Sequence, residues 1–101
     1  MSRNDTIVTA VKLADRISGY YLDNEILRLI SVYEQDMARA GVPATVIADA
    51  ENKMVENAII MGCLSNIARD EEVRKRAEDS YKYQLDCLRK HNWEVTPNAE
   101  E

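Results

Sequence analysis

Apolar side chains recur every three or four positions over four stretches of the chain, which is the spacing of one face of an α-helix. The pattern predicts helices over residues 5–18, over residues 23–40, from Pro43 to Arg69, and from Asp70 to about Asn92. The apolar positions that define the first, second and fourth helices are Ile7, Val11, Ala14 and Ile17; Ile26, Leu27, Leu29, Ile30, Tyr33 and Met37; and Val73, Ala77, Tyr81, Leu85 and Leu88.

Short polar residues mark the expected starts of three of these helices. Their side chains accept hydrogen bonds from the free amides of a first helical turn. Asn4 or Asp5 is expected to cap the first helix, Asp23 or Asn24 the second, and Asp70 the fourth. The fourth helix also carries acidic residues four positions before basic ones, a pairing that stabilises an exposed helical face.

The third predicted helix is the most apolar part of the chain. As one helix it would be about 40 Å long, whereas a compact domain of this length has a radius of gyration near ~13 Å. We therefore expect either a kink, near Gly62, or an elongated hairpin that pairs with a second copy. The expected residues of this homodimer interface are Met54, Ala58, Met61 and Gly62.

The composition agrees with a folded, all-α protein. Apolar residues make up 46% of the 101 positions and charged residues 31%, which argues against global disorder. We expect a small antiparallel bundle or hairpin of about four helices with one long central apolar helix, in an oligomer. Residues 1–93 would form a single domain. Residues 94–101 would form a disordered acidic tail, because they hold Pro97 and few apolar side chains.

Charge excludes some classes of partner. The formal net charge is −5, so the chain lacks the basic footprint that nucleic-acid binders present. The first residues lack the apolar core of a secretory signal. No apolar run approaches the ~20 residues that a membrane span needs. We expect a cytoplasmic protein that binds neither membranes nor, in the favoured interpretation, nucleic acid.

The sequence contains few residues in a pattern that could support catalysis. The single histidine, His91, follows Cys87 by four residues, a spacing that could form half of a metal site or a nucleophile–base pair. Nothing else in the sequence completes such a site, and the three glycines are too scattered for a phosphate-binding loop. Cys63 and Cys87 are expected to be reduced thiols. We therefore predict a protein without catalytic residues, metal or cofactor.

One segment resembles a DNA-binding helix-turn-helix motif locally. Gly41 at the turn, with Val42 and Ile47 after it, matches the motif's apolar pattern. A recognition helix needs hydrogen-bond donors near its start to contact bases and phosphates. Here the first basic residue after the turn is Lys53, and the acidic Asp49 comes before it. The segment is therefore better interpreted as an ordinary corner between two helices.

The favoured function is that of a small non-catalytic regulator that docks on a partner protein, as an adaptor, an inhibitor or an anti-factor. The expected contacts are Tyr20, Tyr21 and Leu22, because apolar and aromatic residues between two helices are often only partly covered. One alternative is a DNA-binding transcriptional regulator that uses residues 37–53. A weaker alternative is a small-ligand or nucleotide-binding oligomer, with a pocket at a subunit interface where Arg28, Tyr81, Lys82 or Tyr83 would contact the ligand.

Overall fold

A computed structural model describes residues 2–93, and these residues fold into helices joined by short connections. The described helices are α1 (Arg3–Ala14), α2 (Asp23–Ala40), α3 (Ala44–Ala48), α4 (Lys53–Ile67) and α5 (Glu71–Lys90). No strand occurs within this part of the chain. The predicted all-α class is therefore confirmed, while the expected tail at residues 94–101 lies outside the described residues.

The predicted long third helix is wrong, because the chain leaves the helical conformation between α3 and α4. Asp49 has an extended backbone, and its Oδ1 accepts a hydrogen bond from the amide of Glu51 at 2.9 Å. Asn52 then caps α4 by accepting hydrogen bonds from the amides of Met54, at 3.0 Å, and Val55, at 3.2 Å. Short polar side chains that bond to nearby amides compete with a continuous helix. The interruption lies at residues 49–52, well before Gly62.

The ends of the other helices differ in part from the prediction. Ser2, rather than Asn4 or Asp5, caps α1 by accepting a hydrogen bond from the amide of Asp5 at 3.1 Å. The helix ends at Ala14, four residues early, and Arg16 then adopts the left-handed conformation with φ of 54°. Asp23 is the first residue of α2 rather than its cap. Asp70 caps α5 as predicted.

The central helix α4 is covered by the rest of its own chain. It packs against α1, α2 and, most extensively, α5, to which residues 68–70 connect it directly. Its buried residues are Val55, Glu56, Ala58, Ile59, Gly62, Cys63 and Leu64. The apolar centre predicted from the sequence is thus a buried spine, and a single chain is large enough to enclose most of it.

Gly62 allows a close approach between α4 and the Tyr33 ring of α2. A Cβ atom at this position would lie 2.8 Å from Cδ1 and Cγ of Tyr33. The ring of Tyr33 is held in place because its hydroxyl accepts a hydrogen bond from Asn66 at 2.6 Å and lies 3.3 Å from Oγ of Ser65. The close helix contact predicted at Gly62 therefore occurs, and it is made within one chain.

A second link joins α2 to α5. The hydroxyl of Tyr81 donates a hydrogen bond of 2.6 Å to the carboxylate of Asp36, and the ring of Tyr81 meets that of Tyr33 edge-on at 4.7 Å. Burial, followed by the hydrogen bond to Asp36, raises the pKa of Tyr81 above its ordinary value of 10.0. The folded chain therefore retains this proton at a pH where the unfolded chain releases it.

This retained proton makes stability depend on pH. Because the unfolded state binds fewer protons once pH exceeds 10, the free energy of unfolding should fall there, by up to about 1.4 kcal/mol per pH unit for one group. Tyr81→Phe should flatten this fall, whereas Tyr21→Phe, at an exposed phenol, should leave it unchanged. Urea titrations from pH 8 to pH 11 measure both slopes. Equal slopes in the two variants would contradict the assignment to Tyr81.

Within residues 2–93, no helix is both long enough and apolar enough to cross a bilayer.

Candidate functional site

The connection between α1 and α2 carries the predicted contact residues Tyr20, Tyr21 and Leu22. The side chains of Tyr20 and Tyr21 are 82% and 75% exposed. Leu22 is half-buried and packs against the core. The two tyrosines are thus available for contact in the single chain, while Leu22 anchors the connection to the core.

Lys12 of α1 holds this connection against the start of α2. Its ammonium group lies 3.0 Å from Oδ1 of Asp23 and 4.7 Å from the centre of the Tyr20 ring. A cation over an aromatic face is attracted by the ring's quadrupole. Gly19, with φ of +80°, provides the left-handed backbone that turns the chain towards Tyr20. Tyr20 is therefore positioned by contacts on both sides of the connection, although most of its surface is open.

A groove of about 480 Å³ lies between α1 and α2, next to Tyr20. The side chains that rise from it into solvent include Leu13, which is 75% exposed, and Leu27, which is 41% exposed. We call this groove and its walls the α1–α2 corner. Its lining residues are Asp5, Val8, Thr9, Lys12, Leu13, Ile17, Tyr20, Asp23 and Leu27.

The α1–α2 corner is suited to hold apolar side chains of another molecule. Its walls are mainly aliphatic and aromatic, and the charge of Lys12 is already matched by Asp23. Grooves with an apolar lining and a few charged residues at the edge are typical of binding surfaces. Tyrosine is enriched among the residues that dominate binding energy.

Of the three exposed apolar residues around this groove, the sequence predicted one as a contact and not the other two. Tyr20 was predicted as a contact and lines the groove, whereas Tyr21 and Leu22 do not. Leu13 was not predicted, and Leu27 was assigned to the buried face of the second helix. The exposure of Leu27 could have been predicted, because this residue lies one position, or about 100° of helical rotation, from the buried Ile26.

The four predicted interface residues lie at different depths. Ala58 has no exposed surface, and Gly62 is covered by Tyr33 of the same chain. Met54 is 41% exposed, and Met61 is partly buried. Only the two methionines therefore have surface to offer a second copy in this conformation.

The segment that resembles a helix-turn-helix forms a short corner. Gly41 ends α2 in the left-handed conformation with φ of 105°, as the motif requires. The following helix, α3, has only five residues and contains no lysine or arginine. Recognition helices present several donors along a major groove. The carboxylates of Asp49 and Glu51 come next, and both residues are exposed.

The residues expected at a subunit-interface ligand pocket already have partners within the single chain, apart from Tyr83, which is exposed. Tyr81 is only 6% exposed, and its hydroxyl is bonded to Asp36. Arg28 pairs with Glu25 on α2 at 2.6 Å, and this contact raises the pKa of Arg28 and lowers that of Glu25. Lys82 pairs with Glu78 of its own helix at 3.6 Å.

The cysteines and the histidine also stay apart from any reactive cluster. Burial raises the pKa of the Cys63 thiol to about 12, which keeps it protonated and unreactive at neutral pH. The ring of His91 packs against that of Trp93 at an interplanar angle of 50°, with ring centres 4.2 Å apart. Among residues 2–93, no three histidine, cysteine or acidic side chains lie close enough together to hold a metal ion.

Comparisons with known proteins give no relative from which a function could be inferred. No protein-family model, no curated protein and no solved structure matches this chain. The functional argument therefore depends on the chemistry of the chain's own surface.

Proposed function

We propose that this chain is a small cytoplasmic protein without catalytic activity that acts by docking on a partner protein, as an adaptor, an inhibitor or an anti-factor. The observation that carries the proposal is the α1–α2 corner, where Leu13, Tyr20 and Leu27 stand exposed around one groove. Isolated apolar residues on a surface are ordinary, but clusters around a groove mark interaction sites. The free thiols of Cys63 and Cys87 agree with a reducing compartment.

The partner would insert one or two apolar side chains into this groove. Tyr20 would contribute a large, rigid surface to the contact, and the ion pair between Lys12 and Asp23 would need no rearrangement. A groove that is formed before binding reduces the entropy lost on association. We also propose that the chain forms a homodimer, in which the partly exposed Met54 and Met61 are covered.

The DNA-binding alternative has less support. It would require Lys53, the first residue of α4, to contact phosphates, but Lys53 lies 3.5 Å from the carboxylate of Glu56 and follows an acidic connection. It predicts salt-sensitive binding to duplex DNA that Lys53→Glu weakens. The small-ligand alternative predicts a ligand-dependent rise in melting temperature.

Docking at the α1–α2 corner predicts that Tyr20→Ala removes a bound partner without unfolding the chain. The tagged protein would be purified gently from its own host, and native mass spectrometry would identify a protein bound in fixed stoichiometry. With both proteins purified, Tyr20→Ala and Leu27→Ala should each raise the dissociation constant at least about fivefold, because truncation of a central contact costs more than about 1 kcal/mol.

The matched control is Val32→Ala, which truncates an exposed apolar residue of α2 outside this groove. It should leave the affinity unchanged, and circular dichroism should show the same helix content in all variants. A partner that binds Tyr20→Ala and Leu27→Ala as tightly as it binds the unmodified chain would remove the α1–α2 corner as the docking surface.

A further inference from the structure

Two shallow cavities lie side by side between α4 and α5. The first, of about 350 Å³, is lined by Met61 and Leu64 of α4 and by Val73 and Ala77 of α5, among others. The second, of about 260 Å³, is lined by Met54 of α4 and by Tyr83 and Cys87 of α5, among others. Together they form one mainly apolar surface, which we call the α4–α5 face. It shares no lining residue with the α1–α2 corner.

The two ends of the α4–α5 face have opposite relief. Around the second cavity the side chains project outwards, since Tyr83 is 72% exposed and Met54 is 41% exposed. At the first cavity Leu64 and Ala77 are recessed, at only 6% and 5% exposed, while Val73, which also lines it, is 36% exposed. One end of the face thus carries a projecting tyrosine, and the other has a recessed apolar floor.

The spacing of these residues is symmetric along both helices. On α5, Ala77 and Tyr83 lie three residues on either side of Ser80, and Val73 and Cys87 lie seven residues on either side. On α4, Leu64 and Met54 lie five residues on either side of Ile59. A two-fold axis that crosses the helices at this height would place the projecting Tyr83 of one copy over the recessed Leu64 and Ala77 of another.

We infer that a second copy of this chain packs on the α4–α5 face, with the two α5 helices antiparallel and Tyr83 of each copy inserted between Leu64 and Ala77 of the other. This inference rests on the proposed homodimer and gives it an axis and contact residues. A two-fold interface must be complementary to itself, and the projecting Tyr83 and the recessed Leu64 and Ala77 meet that requirement. Inserted aromatic residues are the usual anchors of such contacts.

Charge favours the same antiparallel arrangement. Glu72, at the start of α5, and Lys90, at its end, lie 11 residues before and 7 residues after Tyr83, which places all three on one side of the helix. Their midpoint, residue 81, is adjacent to Ser80. The same axis therefore brings Glu72 of one copy near Lys90 of the other, whereas parallel packing would place like charges together.

A disulfide test uses the native Cys87. In the inferred dimer, Val73→Cys places a thiol opposite Cys87 of the second copy. Within one chain these positions are 14 residues apart on α5, or about 21 Å, which is far beyond the Cα separation that a disulfide allows. Mild oxidation should therefore give a covalent dimer, visible on a non-reducing gel and lost on reduction.

The control is Arg74→Cys, which adds an exposed thiol one residue later, rotated by about 100° away from the face. It should give little covalent dimer under the same conditions. Equal cross-linking of the two variants would mean random collision and would overturn the inferred register.

Sedimentation equilibrium gives a second, independent measurement. Tyr83→Lys places an ammonium group beside Arg76, which lines the cavity of the other copy, and Tyr83 occurs twice in each dimer. The dimer dissociation constant should rise at least about 100-fold. Because Tyr83 is 72% exposed in the single chain, the variant should keep its fold. Tyr21→Lys, at a similarly exposed site outside the face, should not change the constant.

The outcomes separate this inference from the proposals on which it rests. A covalent dimer with Val73→Cys and a weakened dimer with Tyr83→Lys support it. A dimer that is unaffected by either change would agree with the proposed homodimer but would rule out the α4–α5 face as its interface. A chain that remains monomeric at all concentrations would overturn both the homodimer and the inference, while docking at the α1–α2 corner would be unaffected.

Discussion

Ile59→Ala should lower the free energy of unfolding by about 3–4 kcal/mol, within the range observed for truncation of fully buried isoleucines. Ile59 has no exposed surface and lies in the middle of α4, the helix that contacts α1, α2 and α5. Removal of three carbon atoms at this point leaves a cavity that three neighbouring helices would have to move to fill. Urea titration at pH 7 measures the change.

The matched control is the next residue along the chain. Ile60 has the same side chain on the same helix, but it is only partly buried. Ile60→Ala should therefore cost about half as much or less, because less apolar surface is lost from the core. Similar losses in the two variants would mean that α4 is not oriented as described.

Gly62→Leu should destabilise the chain by about 3 kcal/mol, at the upper end of the range for overpacked cores. Glycine within a helix normally costs about 1 kcal/mol relative to alanine, so helix propensity alone predicts the opposite sign. The clash dominates because a Cβ atom already comes within 2.8 Å of the ring of Tyr33. That ring cannot withdraw without losing its hydrogen bond to Asn66.

Lys75→Leu is the control for Gly62→Leu, since it introduces the same side chain at an exposed helical position, on α5, that lines neither the α1–α2 corner nor the α4–α5 face. It should change the free energy of unfolding by less than about 0.5 kcal/mol. A double-mutant cycle between Gly62→Ala and Tyr33→Ala should give a coupling energy of at least about 1 kcal/mol. Additive effects in that cycle would show that Tyr33 is not the residue that excludes a side chain at position 62.

Hydrophobic spacing alone was enough to predict the helical class and most of the core. Ile26, Ile30 and Met37 are buried on one face of α2, and Ala77, Tyr81 and Leu88 on one face of α5, as their spacing indicated. The prediction succeeds for these two helices because each presents one apolar stripe to α4 and its opposite face to solvent. The period of a single-sided helix is directly readable.

The interruption at residues 49–52 was not predicted, because two local effects compete there. The apolar positions before and after it fit one continuous helix, whereas the side chains of Asp49 and Asn52 bond to the amides that follow them. The spacing of apolar residues reports only the continuous helical pattern and not these side-chain hydrogen bonds. A polar residue that can cap a helix was recognised at Asp70, where a glutamate pair follows, and was overlooked at Asn52, where apolar residues follow.

The candidate site was predicted less completely than the core. Exposure of Tyr20 and Tyr21 followed from their position between two helices. The exposure of Leu13 and Leu27 depends on where α1 ends and how it crosses α2, which spacing does not specify. Arg16 in the left-handed conformation ends α1 before the predicted apolar stripe is complete, so Ala14 is exposed and Ile17 instead lines the groove.

The central position of α4 has a consequence for how the chain folds as it is synthesised. Ribosomes release a protein from its N-terminus, so α1 and α2 emerge before the helix against which they pack. Ile7, Val11 and Ile26, all fully buried in the finished protein, must wait in water until residues 53–67 have left the exit tunnel. The first half of this protein is therefore a nascent chain with exposed apolar faces, and its core can close only when α4 becomes available.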